Sequence, residues 1–181
     1  MDVVSTMDPV IESFRPKPSQ GWMWLVATAL LMLAVVGFTV NAAPGEEIPS
    51  WVWVLYAVII LIAIWSLVLA ANFPAMRYDL TNDALVIRYG VVLHYSLPYH
   101  SISEVANRDL SPTLWSSTRF PGIALYKVIY SEGTYLMCST RMSKGVLVIE
   151  TEGDDYGISP AEEDRFVAAL TARMGGKAPG M

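Results

Sequence analysis

The sequence predicts a membrane-anchored α+β protein: a two-helix transmembrane hairpin, then an antiparallel β-barrel or sandwich of about seven strands closed by a C-terminal α-helix. Three observations predict it. Two uncharged apolar stretches of helical length lie near the start, short alternating runs separated by turns follow Met76, and the last periodic segment has the spacing of an amphipathic helix. Only 16% of the 181 residues are charged, against about 25% in soluble domains. The deficit is local, because between Lys17 and Arg77 the only Asp, Glu, Lys or Arg residues are Glu46 and Glu47.

Residues 1–21 read as a cytoplasmic tail. Residues 22–41 (WMWLVATALLMLAVVGFTVN) and 51–72 (WVWVLYAVIILIAIWSLVLAAN) carry no charge. A helix of about 20 residues rises roughly 30 Å, the thickness of the hydrocarbon core. Backbone in lipid must satisfy its own hydrogen bonds, so each stretch is expected to be one continuous helix. Trp22 and Trp24 open the first helix, and Trp51 and Trp53 open the second. Indole rings favour the headgroup region, so these four are expected interface anchors. Ser66 and Ala70 form a small-xxx-small pair that would let helices pack closely, although ordinary apolar filler is the favoured reading.

The connection 42–50 holds Pro44, Gly45 and Pro49 and is too short for a domain, so the helices are antiparallel neighbours. Arg15 and Lys17 precede the hairpin, Arg77 and Arg88 follow it, and the loop has no base. The positive-inside rule then puts both termini in the cytoplasm, in a multi-pass protein of the inner or plasma membrane. A cleaved signal peptide is the competing account of the first stretch. It is disfavoured by the acids Asp2, Asp8 and Glu12 and by an apolar run longer than the usual 7–15 residues of such segments.

Past Met76 the pattern becomes β. Leu85, Ile87 and Tyr89 alternate with Val86 and Arg88; after Gly90, Leu93, Tyr95 and Leu97 alternate with His94 and Ser96. Such alternation marks strands with one buried and one wet face. Further strands are expected at 101–105, 123–130, 135–139, 145–151 and 156–158, with a polar loop at 109–121. Ser159-Pro160-Ala161-Glu162 has the form of a capping box with proline at the first helical position. Phe166, Val167, Leu170 and Met174 then fall on one helical face. Gly175 and Gly176 stop the helix, so the folded domain spans 76–175, and 176–181 is a tail.

The stretches YDLTNDALVIRYGVVLHYSLPYHSISEV (78–105), RFPGIALYKVIYSEG (119–133) and VLVIETEGDDYGISPAEEDRFVAAL (146–170) resemble a family of bacterial and archaeal membrane proteins. In that family two transmembrane helices precede a domain like the pleckstrin-homology (PH) domain. The resemblance implies a PH-like fold more than an activity. PH domains that bind phosphoinositides use basic residues between their first two strands. Here that loop is Thr81-Asn82-Asp83-Ala84, with no base, so a multiply phosphorylated lipid is not expected.

Leu114, Trp115, Arg119, Phe120, Arg141 and Lys144 are the candidate membrane or partner contacts. With Arg108 and Lys127, the bases among them would meet anionic headgroups if they converge near the bilayer. Otherwise they are ordinary solvated charges. Leu114, Trp115 and Phe120 would dip into the interface or cover the sheet as core. His94 and His100 lack partners at metal-site spacing, and Cys138, in an expected strand, reads as a small buried hydrophobe. No catalytic or cofactor motif is present, so no enzyme, metal or cofactor is expected. A net charge of −5 excludes a basic footprint for nucleic acid. The expected partners are membrane lipids and a protein, either another chain or a second copy. The function expected is a non-catalytic interaction or assembly module at the inner membrane face. The alternative is a domain that senses anionic headgroups.

Overall fold

The computed structural model describes residues 9–42, 48–113 and 119–175. Two long helices come first, α1 (Gly21–Ala42) and α2 (Ser50–Asn72). Each is long and apolar enough to cross a membrane. They pack side by side and antiparallel through a narrow seam of Leu25 and Ala29 on α1 and Ala63, Ser66 and Leu69 on α2. Ser66 is therefore not mere filler. Its small side chain is buried in the helix contact, and its hydroxyl donates back to the Ile62 carbonyl at 2.9 Å. Nearly everything else on these helices faces outward, including Leu31 at 66% and Phe38 at 75% exposure. Water does not favour an apolar surface of that extent.

After a 3-10 turn, Phe73–Ala75, come β2 (Met76–Leu80), β3 (Ala84–Tyr89), β4 (Leu93–Pro98), β5 (Ile102–Arg108), β6 (Arg119–Phe120), β7 (Ile123–Ile129), β8 (Thr134–Ser139), β9 (Val146–Thr151) and β10 (Asp155–Ile158), then α3 (Glu163–Arg173). One more strand, β1 (Glu12–Phe14), lies ahead of the helices. The strands form two sheets, ordered β1-β2-β3-β4 and β5-β9-β10-β8-β7-β6.

Several expectations are corrected. The domain is a sandwich of two sheets rather than a closed barrel, with nine strands after the helices in place of about seven. It is also not purely antiparallel. The β9–β10 hairpin folds back so that β10 runs parallel to β8 (Ile158 opposite Cys138) while pairing antiparallel with β9. Gly157 permits this insertion, since a Cβ there would meet the Met137 sulfur at 2.2 Å. Glu12–Phe14, read from sequence as part of a tail, pairs with β2 from Glu12 opposite Leu80 to Phe14 opposite Tyr78. Phe14 is buried, edge-on to Phe166 at 5.2 Å.

The capping box does not form. Helix α3 begins at Glu163, and Glu162, its N-cap, makes no side-chain cap bond. Ser159 instead bonds sideways to Thr140. Its hydroxyl accepts from the Thr140 amide at 2.8 Å and lies 2.9 Å from the Thr140 hydroxyl. Tertiary pairing has claimed the side chain that local spacing assigns to the cap.

The main core lies between the sheets. Tyr78, Leu80, Leu85 and Ile87 of the first sheet meet Leu125, Cys138, Leu147 and Ile149 of the second, and Phe166 and Leu170 of α3 close one side. The alternating strands thus bury the face expected of them, as does α3. A second cluster, including Leu110, Val128, Tyr135 and Met137, lies apart from the main core. The 109–113 segment lies beside it and is tied down by Leu110 N–H to the Ser143 carbonyl at 2.7 Å. Both faces of β9 are therefore apolar.

Candidate functional site

The helices and the sandwich are joined by specific contacts. Gly21 opens α1 against the β6–β7 turn, where a Cβ would meet the Gly122 carbonyl oxygen at 2.5 Å. The Ser19 hydroxyl donates to that oxygen at 2.5 Å. On α2, the Leu69 carbonyl accepts the Tyr89 hydroxyl at 2.7 Å, and the Asn72 Oδ1 accepts the Val91 amide at 3.1 Å. Between the helices and β7 is an apolar recess of about 200 Å³, walled by Leu25, Trp65, Ser66, Phe120, Ile123 and Tyr126. Tyr126 adopts φ 62°, a left-handed conformation unusual for a bulky residue. Partial burial raises its phenol above the ordinary value. Phe120 packs here, against core and helices, rather than projecting outward.

The sequence-selected bases do not all converge. Arg141 and Lys144 share a shallow depression with Pro18, Ser19 and Gly122, directly ahead of α1. Arg108 lies elsewhere, on β5, bound to Glu150 at 2.7 Å and Glu104 at 3.5 Å. Lys127 is exposed on β7. Leu114, Trp115 and the Arg119 side chain lie outside the described residues. Trp22 and Trp24 are exposed at the start of α1, and Trp51 and Trp53 at the start of α2, so the pairs lie at opposite ends of the hairpin.

Two features were not singled out from sequence. The first is a row across the first sheet, in which Arg77 is register partner of Arg88 and Arg88 of His94. The adjacent row, Met76–Tyr89–Leu93, is buried, so the basic row faces outward. The alternation in β3 and β4 marks Arg88 and His94 as outward, but only the strand register aligns them with Arg77. The second is the free edge of β5. Among the described residues this strand ends its sheet and pairs only with β9, and it borders a groove of about 740 Å³ whose opposite wall is α3. Asn107 donates across the groove to the Glu163 carboxylate. Burial alone would raise the Glu163 carboxyl. Hydrogen bonds from Lys17 and Asn107, with the Lys17 and Arg141 charges, outweigh it and hold the group below its ordinary value.

Cys138 is fully buried and its thiol is pushed far up by desolvation, which keeps it protonated and unreactive. Among the described residues no three His, Cys, Asp or Glu side chains gather as a metal site. A two-sheet sandwich with a C-terminal helix closing one side has the architecture of a PH-like domain. Residues 76–174, more than half of the chain, match the family model of the bacterial PH domain, and the chain belongs to that family, with two apolar helices of membrane-spanning length ahead of the domain. No curated protein and no solved structure matches it. PH domains are in general modules for binding lipids or proteins.

Proposed function

We propose that the chain is a non-catalytic, membrane-anchored PH-like module. In this reading α1 and α2 span the inner or plasma membrane as a hairpin, both termini are cytoplasmic, and the domain docks a protein at the inner face. The outward apolar surface of the helices supports the anchoring. The pairing of β1 with β2 supports a common side for both ends, since a chain with its ends on opposite faces of a bilayer could not make it. The observation that carries the docking is the outer edge of β5 beside α3, which has no strand partner among the described residues. An extended segment adds to such an edge through main-chain hydrogen bonds, and its side chains would lie along the groove. Tethering raises the effective concentration of such an encounter.

A photo-crosslinking amino acid placed at Ser103 or Asn107 in intact membranes tests the docking. The expected result is one discrete adduct from both positions and none from Asn82 in the β2–β3 turn. Absence of any adduct from β5 would overturn it. Resistance of the chain to alkaline carbonate extraction, with a reporter on the last residue inside the cell, is the expected result for the anchoring.

A second reading, sensing of anionic headgroups, is favoured by the place of Arg141 and Lys144 beside Pro18 and Ser19, immediately before α1. Flotation with anionic vesicles should then be lost in Arg141→Gln/Lys144→Gln and weaken with salt.

A further inference from the structure

We infer that the outward pair Arg77–Arg88 is a docking site for the phosphate of an anionic lipid in the leaflet beside the domain. The inference rests on the membrane-anchored reading and goes beyond it, to a face distinct from that of Arg141 and Lys144. Neighbouring strands are about 4.8 Å apart, so register partners hold their side chains abreast. Like charges directly opposite each other destabilise a sheet unless an anion lies between them. The protein supplies one such charge, which pairs with Arg88 and leaves Arg77 without an ion pair among the described residues. Among the described residues the acid lining the depression is Asp79, whose Oδ1 already accepts the Ser13 hydroxyl at 2.5 Å. Its other oxygen stays 3.7 Å from the Arg88 Nε. That Nε is buried without a hydrogen-bond partner. Arg77 is exposed and has no ion pair among the described residues. Two guanidinium groups, each with a planar fork of N–H donors, thus flank a shallow depression of about 460 Å³. Guanidinium forks match phosphate oxygens in spacing and charge.

The location argues for a lipid phosphate over a soluble one. Strand β2 leaves α2 through a single 3-10 turn, so Arg77 follows closely on the helix end. The β3–β4 turn is held at that same level by the Asn72–Val91 bond. Val91 is 94% exposed, and Val10 also borders the depression, 47% exposed. An apolar rim beside paired cations suits a molecule whose phosphate joins directly to acyl chains. With a chain of net charge −5, general attraction to an anionic surface does not account for such contact.

The test uses the full chain in nanodiscs of phosphatidylcholine with a minor share of phosphatidylglycerol, released into mild detergent and weighed by native mass spectrometry. Wild type should retain phosphatidylglycerol in preference to phosphatidylcholine. Arg77→Gln and Arg88→Gln should each reduce that preference about fivefold, the equivalent of one cation near an anionic surface. Arg77→Lys/Arg88→Lys, which keeps both charges but loses the guanidinium forks, should keep part of it. Arg77 is exposed, so its single variant reads binding even where loss of Arg88 disturbs folding. Equal retention by wild type and Arg77→Gln would overturn the site. Loss of the preference on adding excess inorganic phosphate would overturn the lipid as its source. A chain that carbonate strips from membranes overturns the anchoring and this site together, whereas an anchored chain without preference overturns this site alone.

Discussion

The Tyr89 hydroxyl donates to the Leu69 main-chain carbonyl across 2.7 Å, in the interior where the sandwich meets the second helix. Tyr89 is fully buried and belongs to β3; Leu69 lies one turn from the end of α2. A helix carbonyl near its C-terminus needs an outside partner, and the domain provides it. This bond ties the orientation of the helices to that of the sheet.

Tyr89→Phe removes the bond and leaves the carbonyl buried. The expected loss is about 1–3 kcal/mol. It should appear as a lower denaturation midpoint of the full chain in detergent, with faster amide exchange around residues 69–73 and around Val91. Unchanged exchange at the helix end would show that the tie carries no weight.

Phe14→Ala should cost about 3–5 kcal/mol, as buried aromatic truncations do. The ring sits between β2 and α3, and its partner is Phe166. A double-mutant cycle with Phe166→Ala should return a coupling of about 0.5–1.5 kcal/mol. Additive losses would mean that the segment before α1 does not pack on α3 in solution.

Ser159 and Glu162 separate two accounts of the approach to α3. A capping box makes both costly to remove. The structure makes only Ser159 so. The Thr140 hydroxyl donates to the Lys17 carbonyl at 2.9 Å, so the proton between Thr140 and Ser159 comes from Ser159. Ser159→Ala therefore strands the buried Thr140 amide, at about 1–3 kcal/mol, and leaves the Thr140 hydroxyl with its bond to Lys17 alone. Glu162→Ala loses only an exposed pair with Arg165 and should change the unfolding midpoint little.

The Glu163 carboxyl, partly buried and bonded to Lys17 at 2.6 Å and to Asn107, titrates below its ordinary value near 4.5. A carboxyl whose folded value is depressed stabilises the fold above its unfolded value and loses that contribution as pH falls through the folded one. Stability should therefore decline as the solution is acidified below about pH 4.5. Glu163→Gln should flatten that part of the profile and leave a chain of lower stability at neutral pH. An identical acid limb in wild type and variant would count against the Lys17 pin.

What the chain reveals of itself depends on the range over which each signal acts. The helices, the alternation in β3 and β4 and the apolar face of α3 are local patterns, and all are found as read. Strand β1 has only Glu-Ser-Phe, with no alternation long enough to notice, and its partners lie beyond the whole hairpin. The parallel contact of β10 with β8 likewise depends on strand order, which spacing does not encode. Ser159 carries a real local signal that a distant threonine overrides. Among the candidate contacts, Arg141 and Lys144 meet beside Pro18, while Arg108 was drawn into the same set by charge alone and is already paired. The Arg77–Arg88–His94 row needed register, the one quantity that hydrophobic pattern supplies least directly.

The segment ahead of the helices also has a bearing on how the molecule is made. Glu12 accepts a hydrogen bond from Arg165, 153 residues further along. At about 5–20 residues per second, roughly 8 to 30 seconds of synthesis separate the two. Strand β1 thus stays unpaired until both helices behind it have been made and β2 follows, and Glu12 waits longer still for α3. These contacts can form only where the segment ahead of the helices and the domain behind them lie on the same side of any membrane the helices cross.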